Sequence, residues 1–559
     1  MVGLATVFGA GGGTSSYAEV ETANVIIMWG SNAREAHPIF FHHVLKAINN
    51  GAQLFTIDPR RTTTAAFGKH LQLHVGTDIA LAYAIGREII VSELNNAAFI
   101  NSATTGFAEY REAAMEWTLE KASAETGVDA SLISDLAHAY AGADRAQLCW
   151  TLGITEHHNA VDNVVSLINL ALLTGHVGRH GSGLSPLRGQ NNVQGGGDMG
   201  AIPNRFVGFQ DILDPEIRAK FEAAYGRDIM PQYGWHLTQM FEAMERGDLR
   251  SAYVIGENPA QSEADVAHTR HLLTNLDHLV VQDIFLTKTA ELADVVLPAA
   301  AAWCESAGTV TNSERRVQRV RKAVDSPGEA RDDMWIILEM ARLMGAEWNY
   351  GGWPRDRSAS VEIVAEAVWD ELRPLSPMHH GMSYERIANE GGLQWPCPSD
   401  TELGPTFLHG RLWATNTDDR GRLAPFSVVR HELPVDECTP EFPIRLTTGR
   451  RLDSYNTGVQ SASFASPLRF GETIDVHPAD AAMLGVVAGD MARVSSRRGA
   501  VEAPVRLDEG LRPGLAFMTF HFPEQVDVNL ITIEAADPRS GTSEFKATAV
   551  RIEKVLASV

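Results

Sequence analysis

The sequence predicts an α/β protein with two dinucleotide-binding-like α/β domains followed by a C-terminal β-barrel domain. Continuous apolar runs alternate with helix-like stretches up to about residue 302, which is typical of parallel sheets covered by helices. Beyond residue 441, short β-type segments are separated by Gly, Pro and Asp turns, which is typical of a small barrel. A chain of 559 residues is long enough for several such domains.

The first α/β domain is predicted over residues 1–190 and opens with a βαβ unit. The apolar run 23–30 predicts a buried strand, 31–51 a helix that ends at Asn-Asn-Gly, and 52–60 the next strand. Three further elements are predicted: helices over 80–94 and 161–178, and a strand over 146–155.

Three more domains are predicted after residue 190. A second α/β cofactor-binding unit spans 191–302, and its strands are expected at 250–259, 277–285 and 290–300. Frequent prolines and weak periodicity predict a connecting region over 303–440, with the loosest pattern from about 355. The barrel domain spans 441–559, and its β-type stretches are 443–451, 472–478, 491–508 and 514–522.

The composition excludes several classes of protein. The formal net charge of −23 argues against nucleic acid as a partner, because nucleic-acid-binding proteins need a basic surface. The sequence has no run of eighteen or more apolar residues and no basic n-region at its start. We therefore expect no membrane segment and a cytoplasmic location.

The cysteines and histidines do not form a metal-binding pattern. The four cysteines have no CxxC spacing, so we interpret them as buried free thiols; they are Cys149, Cys304, Cys397 and Cys438. Two histidine pairs lack Asp or Cys at ligand spacing and are interpreted as structural; they are His70 with His74, and His157 with His158. No metal ligand is therefore predicted in this sequence.

Four predicted strands end in loops rich in Gly, Asn, Asp and Pro. These loops lie at 29–38, 57–66, 255–265 and 282–294. Ligands of open α/β sheets bind beyond the carboxyl ends of the strands, where glycine amides approach phosphate groups. A single loop of this kind is more often structural, but four together favour binding, either of one large ligand or of two nucleotide-like ligands. No GxGxxG fingerprint is present at these strand ends, which argues against an ordinary NAD-binding domain.

The residue types in these loops suggest their roles. Gly30 and Gly256 allow close backbone approach, and Asn32 and Asn258 either cap a helix or bond to a ligand. Asp58 is suited to accept hydrogen bonds from a ribose hydroxyl or a guanine edge. Arg60, together with Arg61, is suited to bind phosphate.

The stretch "LRGQNNVQGGGDMG", residues 187–200, has the composition of a ligand-binding loop. Its glycines allow close approach, while Arg188, Gln190 and neighbouring amides offer donors with no acidic neighbour before Asp198. A guanidinium suits a small carboxylate, and amides suit a flat, heteroatom-rich cofactor. A solvated linker would carry more Ser, Glu and Lys, so the composition favours ligand contact.

This stretch, with "GHVGRHGSGLSP" before it, resembles the molybdopterin-dependent formate dehydrogenases, the catalytic subunits of that branch of the dimethyl-sulfoxide-reductase superfamily. "WGSNAREAHP", "IDPRRT", "GENPAQSEAD" and "VVQDIFLTKTAELADVVLP" match further segments of the family in the same order. The resemblance covers nearly the whole chain, more loosely in the last part, and "RGQNNVQG" is specific to the formate branch rather than to nitrate or sulfoxide reductases.

The resemblance implies oxidation of formate to carbon dioxide at a molybdenum or tungsten ion held by two pterin dithiolenes, each carrying guanosine diphosphate. Arg188 would be the catalytic residue that orients formate, and Gln190 would neighbour the pterin. The implied contacts of one cofactor are Gly30, Asn32, Asp58 and Arg60; those of the other are Gly256, Glu257, Asn258, Gln282, Asp283 and Thr287; and Thr448, Gly449, Arg450 and Tyr455 would cover both. An electron-transfer subunit or other redox partner is also implied.

The sequence departs from the family pattern at its start. The family has a metal-ligating cysteine or selenocysteine and a cysteine-rich iron–sulfur region that would precede "VGLATVFGAGGG", and none of the four cysteines here replaces that ligand. Our hypothesis is that this sequence is the downstream portion of a longer enzyme, with an upstream UGA codon for selenocysteine taken as a stop. The alternatives are another reductase of the superfamily, such as a nitrate reductase, and a non-catalytic remnant that binds the cofactor.

Overall fold

The computed structural model describes residues 1–355, 358–452, 454, 456 and 471–556. They form two compact units. Unit 1 contains Met1–Leu187, Gln261–Thr269 and the segment that begins at Phe407; unit 2 contains Arg188–Ala260 and Arg270–Thr406. The four predicted domain ranges stay a prediction.

The helices alternate with strands through most of the chain. In chain order they are α1 Val2–Phe8, α2 Tyr17–Val20, α3 Ala33–Ala36, α4 Pro38–Asn49, α5 Asp78–Val91, α6 Ala97–Ala103, α7 Phe107–Met115, α8 Leu119–Thr126, α9 Ala130–Gly142, α10 Leu152–Thr155, α11 Ala160–Thr174, α12 Val193–Asp198, α13 Pro215–Tyr225, α14 Leu237–Glu245, α15 Pro259–Ser262, α16 Val266–Thr274, α17 Asp333–Leu343, α18 Val361–Leu372, α19 Tyr384–Asn389, α20 Thr417–Arg420 and α21 Pro478–Leu484.

The strands are short. In chain order they are β1 Val25–Trp29, β2 Gln53–Ile57, β3 Lys69–Leu71, β4 Thr104–Thr105, β5 Ala146–Trp150, β6 Gly183–Pro186, β7 Arg205–Phe206, β8 Gln210–Asp211, β9 Ser251–Ile255, β10 His278–Asp283, β11 Val295–Pro298, β12 Gly308–Thr311, β13 Arg316–Val320, β14 Leu393–Gln394, β15 Ala424–Pro425, β16 Ile444–Gly449, β17 Ile474–Val476, β18 Met491–Ser495, β19 Ala500–Leu507, β20 Leu515–Thr519 and β21 Thr548–Lys554.

Unit 1 is built on a five-stranded parallel sheet in the order β3-β2-β1-β5-β6. Every residue of the central strands β1 and β5 is buried, which explains their continuous apolar sequences. The long helix α11 is buried along nearly its whole length and packs against α5. The carboxyl ends of β1 and β2 therefore project from a rigid core.

The same unit contains a closed six-stranded barrel in the order β16-β20-β17-β19-β18-β21. Exposed and buried residues alternate along β18, as expected for a strand with one face on the barrel core. The predicted C-terminal β-barrel is confirmed.

Unit 2 holds a smaller parallel sheet in the order β11-β10-β9. Its strands lie where the sequence predicts them, although β9 and β11 are partly exposed rather than buried. A second, antiparallel sheet has the order β12-β13-β14. Together with the barrel, these sheets confirm the predicted α/β fold class.

Several predicted elements differ in extent. The helix expected over 31–51 is divided into α3 and α4 at His37, because the residue before Pro38 is disfavoured in the helical region. The strand expected over 146–155 ends at Trp150, and α10 follows it. The proline-rich part of the predicted connecting region also contains the twelve-residue helix α18. In the described part of the chain, no helix combines the length and the apolar character needed to cross a bilayer.

Candidate functional site

The turn after β1 is formed by Gly30, whose φ of 55° lies in the left-handed region. Its N–H donates to the carbonyl of Ile57 at the end of β2, over 2.7 Å. A Cβ at this position would lie 2.8 Å from the Cα of Gly153. Both the conformation and the close packing of two backbones therefore require glycine here.

Asn32 lies two residues further on and organises the loop. Its Oδ1 accepts a hydrogen bond from Thr64 Oγ1 at 2.9 Å, and Thr64 Oγ1 accepts one from the N–H of Arg34 at 3.0 Å. By contrast, Asn32 Nδ2 and Ser31 Oγ are buried and have no hydrogen-bond partner among the described residues. Buried polar atoms without a partner are costly, so these donors mark a place where a ligand is expected.

Asp58 and Arg60 follow β2. The carboxylate of Asp58 accepts from the N–H of Arg60 at 3.0 Å, and burial raises the pKa of Asp58 to about 6, opposed by the charges of Arg60 and Lys546. Burial also lowers the pKa of Arg60. The Arg60 guanidinium stacks over the Phe517 ring at 3.7 Å from its centre, which fixes its position.

The end of β16 contributes Thr448, Gly449 and Arg450. A Cβ on Gly449 would lie 2.8 Å from the Phe517 ring and 3.9 Å from Arg60 Nη2, so the barrel loop lies beside Arg60. Arg450 Nη1 is buried and has no hydrogen-bond partner among the described residues. Tyr455, the last of the predicted cofactor contacts, lies outside the described residues.

The predicted contacts in unit 2 have the same local geometry. Gly256 has a φ of 63°, and its N–H donates to the carbonyl of Gln282 at 2.9 Å. Asn258 Oδ1 accepts from Thr289 Oγ1 at 2.8 Å, and Thr289 Oγ1 accepts from the N–H of Ala260 at 3.0 Å. The two strand-end sites therefore use one device twice, a structural repeat that shows no fixed period in the sequence.

Asp58, directly after β2, and Asp283, the last residue of β10, extend this repeat. Asp283 Oδ1 accepts from the N–H of Phe285 at 3.1 Å, as Asp58 does from Arg60. Burial raises the pKa of Asp283, and burial together with the charge of Asp283 raises the pKa of Glu257. A carboxylate acceptor thus stands at the carboxyl end of a strand in each unit.

Other predicted side chains in unit 2 form internal hydrogen bonds. Gln282 is fully buried, donates to the carboxylate of Asp333 and accepts from the hydroxyl of Tyr253. Thr287 Oγ1 accepts from the N–H of Ala290, the first residue of a short 3-10 turn, at 3.1 Å. The side chains of these two residues therefore hold the loops, and their cofactor contact stays a prediction.

The glycine-rich stretch forms the short helix α12, which packs on β12. A Cβ on Gly195 would lie 1.9 Å from Asn192 Oδ1, and that oxygen accepts from the N–H of Thr311 at 3.0 Å. Packing therefore requires one of its glycines. In contrast, nothing lies within 4 Å of the Cβ position of Gly189 or Gly196.

Arg188 lies at the start of this stretch and is partly exposed. Burial lowers the pKa of its guanidinium, opposed by the charge of Asp198. Burial raises the pKa of Asp198 to about 7, and Gln194 Nε2 donates to its carboxylate at 3.3 Å. The charges of Arg188 and Asp198 therefore act on each other, while Gln190 is exposed.

The cysteine prediction holds only in part. Cys149 and Cys397 are buried, Cys304 is intermediate, and Cys438 is exposed, because it lies in the irregular segment before the barrel. His157 contacts Glu544 and the carbonyl of Gly153, in agreement with a structural role. No cluster of metal-ligating side chains occurs among the residues that the structure describes.

Residues 6–343 match the family described as molybdopterin oxidoreductase, and residues 444–549 match the molydopterin dinucleotide binding domain. The chain belongs to the molybdopterin oxidoreductase family. The second match coincides with the barrel that holds Thr448, Gly449 and Arg450. The two matches confirm the predicted cofactor, a bis-molybdopterin guanine dinucleotide with molybdenum or tungsten.

Relatives in this molybdopterin oxidoreductase family include enzymes of more than one activity. The chain is 40% identical to "F420-dependent formate dehydrogenase 2 subunit alpha" of Methanococcus maripaludis, over 99% of this chain and 80% of that protein. It is 32% identical to "Assimilatory nitrate reductase catalytic subunit" of Bacillus subtilis, over 98% of this chain and 76% of that protein. Among solved structures, the fold is similar to "Acetylene Hydratase from Pelobacter acetylenicus", with a TM-score of 0.73 and 21% identity over 99% of this chain and 80% of that one.

The residues present in the sites fit the family's cofactor. The buried donors of Ser31, Asn32 and Arg450 suit the oxygen atoms of a dinucleotide, and the carboxylates of Asp58 and Asp283 suit the N–H and O–H groups of a guanine and a ribose.

Sequence reasoning missed a set of buried charged residues in unit 1: Glu156, Glu544 and Lys546. Single charged residues in a segment without periodicity give no signal in the sequence, and their contacts arise only when the barrel packs against the sheet.

Proposed function

We propose that this protein oxidises formate to carbon dioxide in the cytoplasm and passes two electrons to a redox partner subunit. Formate, HCOO⁻, yields carbon dioxide, one proton and two electrons. The metal held by the two pterin dithiolenes supplies the two-electron acceptor when the cofactor is bound. The protein itself binds and orients the substrate.

The observation that carries this proposal is the position of Arg188. The residue is partly exposed, but its guanidinium Nη1 is buried; nothing crowds the backbone at the neighbouring Gly189, and the charge of Asp198 acts on the guanidinium. A guanidinium binds a carboxylate through two parallel N–H groups, which fixes orientation as well as charge. The role of Arg188 is to hold the two formate oxygens so that the C–H bond has one direction.

The protonation state of Asp198 affects how strongly the positive charge of Arg188 attracts formate. With a pKa of about 7, the carboxyl is half protonated near neutral pH. In the protonated form it leaves the Arg188 charge to the substrate, and in the ionised form it competes with formate for the same guanidinium.

The cofactor contacts follow the two strand-end sites. Gly30, Asn32, Asp58 and Arg60 bind one dinucleotide, and Thr448, Gly449, Arg450 and Tyr455 contact both dinucleotides. The second dinucleotide is bound by the set in unit 2: Gly256, Glu257, Asn258, Gln282, Asp283 and Thr287. Gln190 lies next to the pterin. The unpartnered donors at Ser31, Asn32 and Arg450 support this assignment.

The test is the kinetics of Arg188→Lys with formate and an artificial one-electron acceptor. Lysine keeps the charge but lacks the paired N–H groups, so we expect the formate KM to rise about tenfold to a hundredfold, the size of one lost charge-assisted hydrogen bond. Arg205→Lys is the matched control, because Arg205 pairs with Asp211 on a surface hairpin of the same unit. Unchanged kinetics in Arg188→Lys remove Arg188 from the substrate site.

The same preparation distinguishes the other activities. If the reduced form of the artificial acceptor drives reduction of nitrate, and formate is not oxidised, the protein is a nitrate reductase. Bound cofactor without turnover of either substrate would show a protein that only binds the cofactor.

A further inference from the structure

The segment Glu544–Lys546 lies in unit 1 between the loop that follows α10 and the end of β16. Phe545 bonds at both sides: its N–H donates to the Glu156 carbonyl at 3.2 Å, and its carbonyl accepts from Thr448 Oγ1 at 2.8 Å. This short strap therefore joins the parallel sheet of the unit to the barrel.

Lys546 is buried, with only 7% of its surface exposed. Its ammonium lies 2.6 Å from Glu156 Oε2, and it donates to the carbonyl of Thr448 at 3.1 Å and to Thr448 Oγ1 at 3.4 Å. An ammonium has three N–H groups, and three oxygen atoms of the protein surround this one. The Lys546 ammonium therefore directs its N–H groups to Thr448 and Glu156.

Glu544, at the other end of the strap, contacts His157 and His158. Its carboxylate lies 3.3 Å from His157 Nδ1 and accepts from the N–H of His158 at 3.1 Å. His157 Nε2 lies 3.1 Å from the carbonyl of Gly153, the residue packed against Gly30. The charge of Glu544 raises the pKa of His157, and the charge and hydrogen bond of His157 lower the pKa of Glu544.

The strap is thus linked to two of the predicted cofactor contacts. It bonds directly to Thr448 on the barrel, and through His157 and Gly153 it reaches the turn of Gly30 on the sheet. The charge of Lys546 also acts on a third, since it lowers the pKa of Asp58. A clamp with a purely structural role would not need to converge on these three residues.

We propose that Lys546 is a positioning residue for the pterin dinucleotide, and that it acts by holding Thr448 through an ion pair with Glu156. The proposal depends on the proposed cofactor contact at Thr448. It does not depend on formate as the substrate.

The first test compares Lys546→Met with the double variant Glu156→Gln/Lys546→Met. The single variant leaves the Glu156 carboxylate buried without its cation, so we expect a loss of stability. The double variant removes both charges, and we expect it to recover most of that stability. Cofactor retention should stay about tenfold below wild type in both variants, the size of one lost hydrogen bond to a charged group.

Retention is measured as pterin dinucleotide and metal per protein chain after dialysis. Val550→Ala is the matched control, because it truncates a buried residue of β21, which pairs with β16, and its side chain has no polar atom that could bond to the strap. We expect it to lose stability and keep its cofactor. A double variant that retains cofactor like wild type overturns the proposal.

The second test needs no cofactor. Amide hydrogen exchange of a peptide that covers residues 447–450 should be faster in the double variant than in wild type, with no change in peptides from α11. Equal exchange in that peptide overturns the proposal, even if the single variant fails to fold. Normal cofactor retention in wild type without formate oxidation would count against the proposed function and leave this inference intact.

Discussion

The two strand-end sites share a backbone device and differ in what surrounds it. Gly30 and Gly256 each have a positive φ. The N–H of Gly30 donates to the carbonyl of Ile57 at 2.7 Å, and the N–H of Gly256 donates to the carbonyl of Gln282 at 2.9 Å. The turn of Gly30 packs against a second backbone at Gly153, whereas nothing lies within 4 Å of the Cβ position of Gly256. The same sequence pattern therefore tolerates substitution very differently in the two units.

The polar side chains of the two sites also differ in whether they have partners within the protein. The first site leaves the buried donors of Ser31 and Asn32 without partners among the described residues, while the second site uses Gln282 and Thr287 to hold its own loops. A polar residue after a strand is thus either a ligand donor or a structural bond, and only the neighbours decide which.

The largest expected difference is between Gly30→Ala and Gly256→Ala. Alanine at position 256 meets only the strain of a left-handed conformation, about 1 kcal/mol, whereas alanine at position 30 adds a backbone overlap that no side-chain rotation relieves, for a total of about 3 kcal/mol. Urea unfolding of both variants and wild type gives the two losses in free energy of unfolding. Equal losses would show that the contact with Gly153 adjusts without cost.

The backbone elements of both sites were predictable from the sequence. The runs "ANVIIMWG" and "DHLVVQDIF" correctly placed β1 and β10, because strands buried in a parallel sheet are continuously apolar. The break before Pro38 was also in the sequence, although the predicted helix ran through it.

The partners of the polar side chains were not predictable. Gln282 has the residue type and the position of a ligand contact, but its side chain bonds to Tyr253 and Asp333, which are far from it in the chain. In the same way, Lys546 acquires its role only through Glu156 and Thr448. Such long-range pairs leave no local pattern, so tertiary structure is needed to separate binding from support.

A smaller effect is expected from removing one polar side chain at each site. Gln282→Met breaks two partly buried hydrogen bonds and leaves Asp333 without this donor, so we expect a loss of about 1–3 kcal/mol. Ser31→Ala removes a buried hydroxyl without a partner among the described residues, and we expect a change within about 0.5 kcal/mol in the cofactor-free protein.

Thermal unfolding of the cofactor-free variants measures both changes, and cofactor retention supplies the contrast. Ser31→Ala should lower retention despite its unchanged stability. If Ser31→Ala destabilises the protein as much as Gln282→Met does, the two sites are equally structural and the comparison between them fails.

The smallest effect concerns the pH dependence of Asp58, whose pKa burial raises to about 6. Because the folded protein holds this proton more tightly than the unfolded chain, whose Asp has a pKa of about 3.9, the stability that Asp58 contributes is present below pH 4 and is lost as the pH rises through 6. Asp58→Asn keeps the acceptor for the Arg60 N–H and cannot ionise. The full pKa shift corresponds to about 3 kcal/mol, but Asp58 is partly exposed and solvent screens its charge. We therefore expect the cofactor-free variant to match wild type near pH 4 and to be about 1–2 kcal/mol more stable above pH 6.

Unfolding free energies of both proteins between pH 4 and 8 test this expectation. Glu472 and Asp198 have a pKa raised to about 7 and titrate in the same range, but they are common to both proteins, so the difference between the curves isolates Asp58. Parallel curves would show that the Asp58 charge carries no cost in the folded state. A gain in stability accompanied by weaker cofactor retention would mean that the first site keeps a destabilising carboxylate because the dinucleotide needs its acceptor.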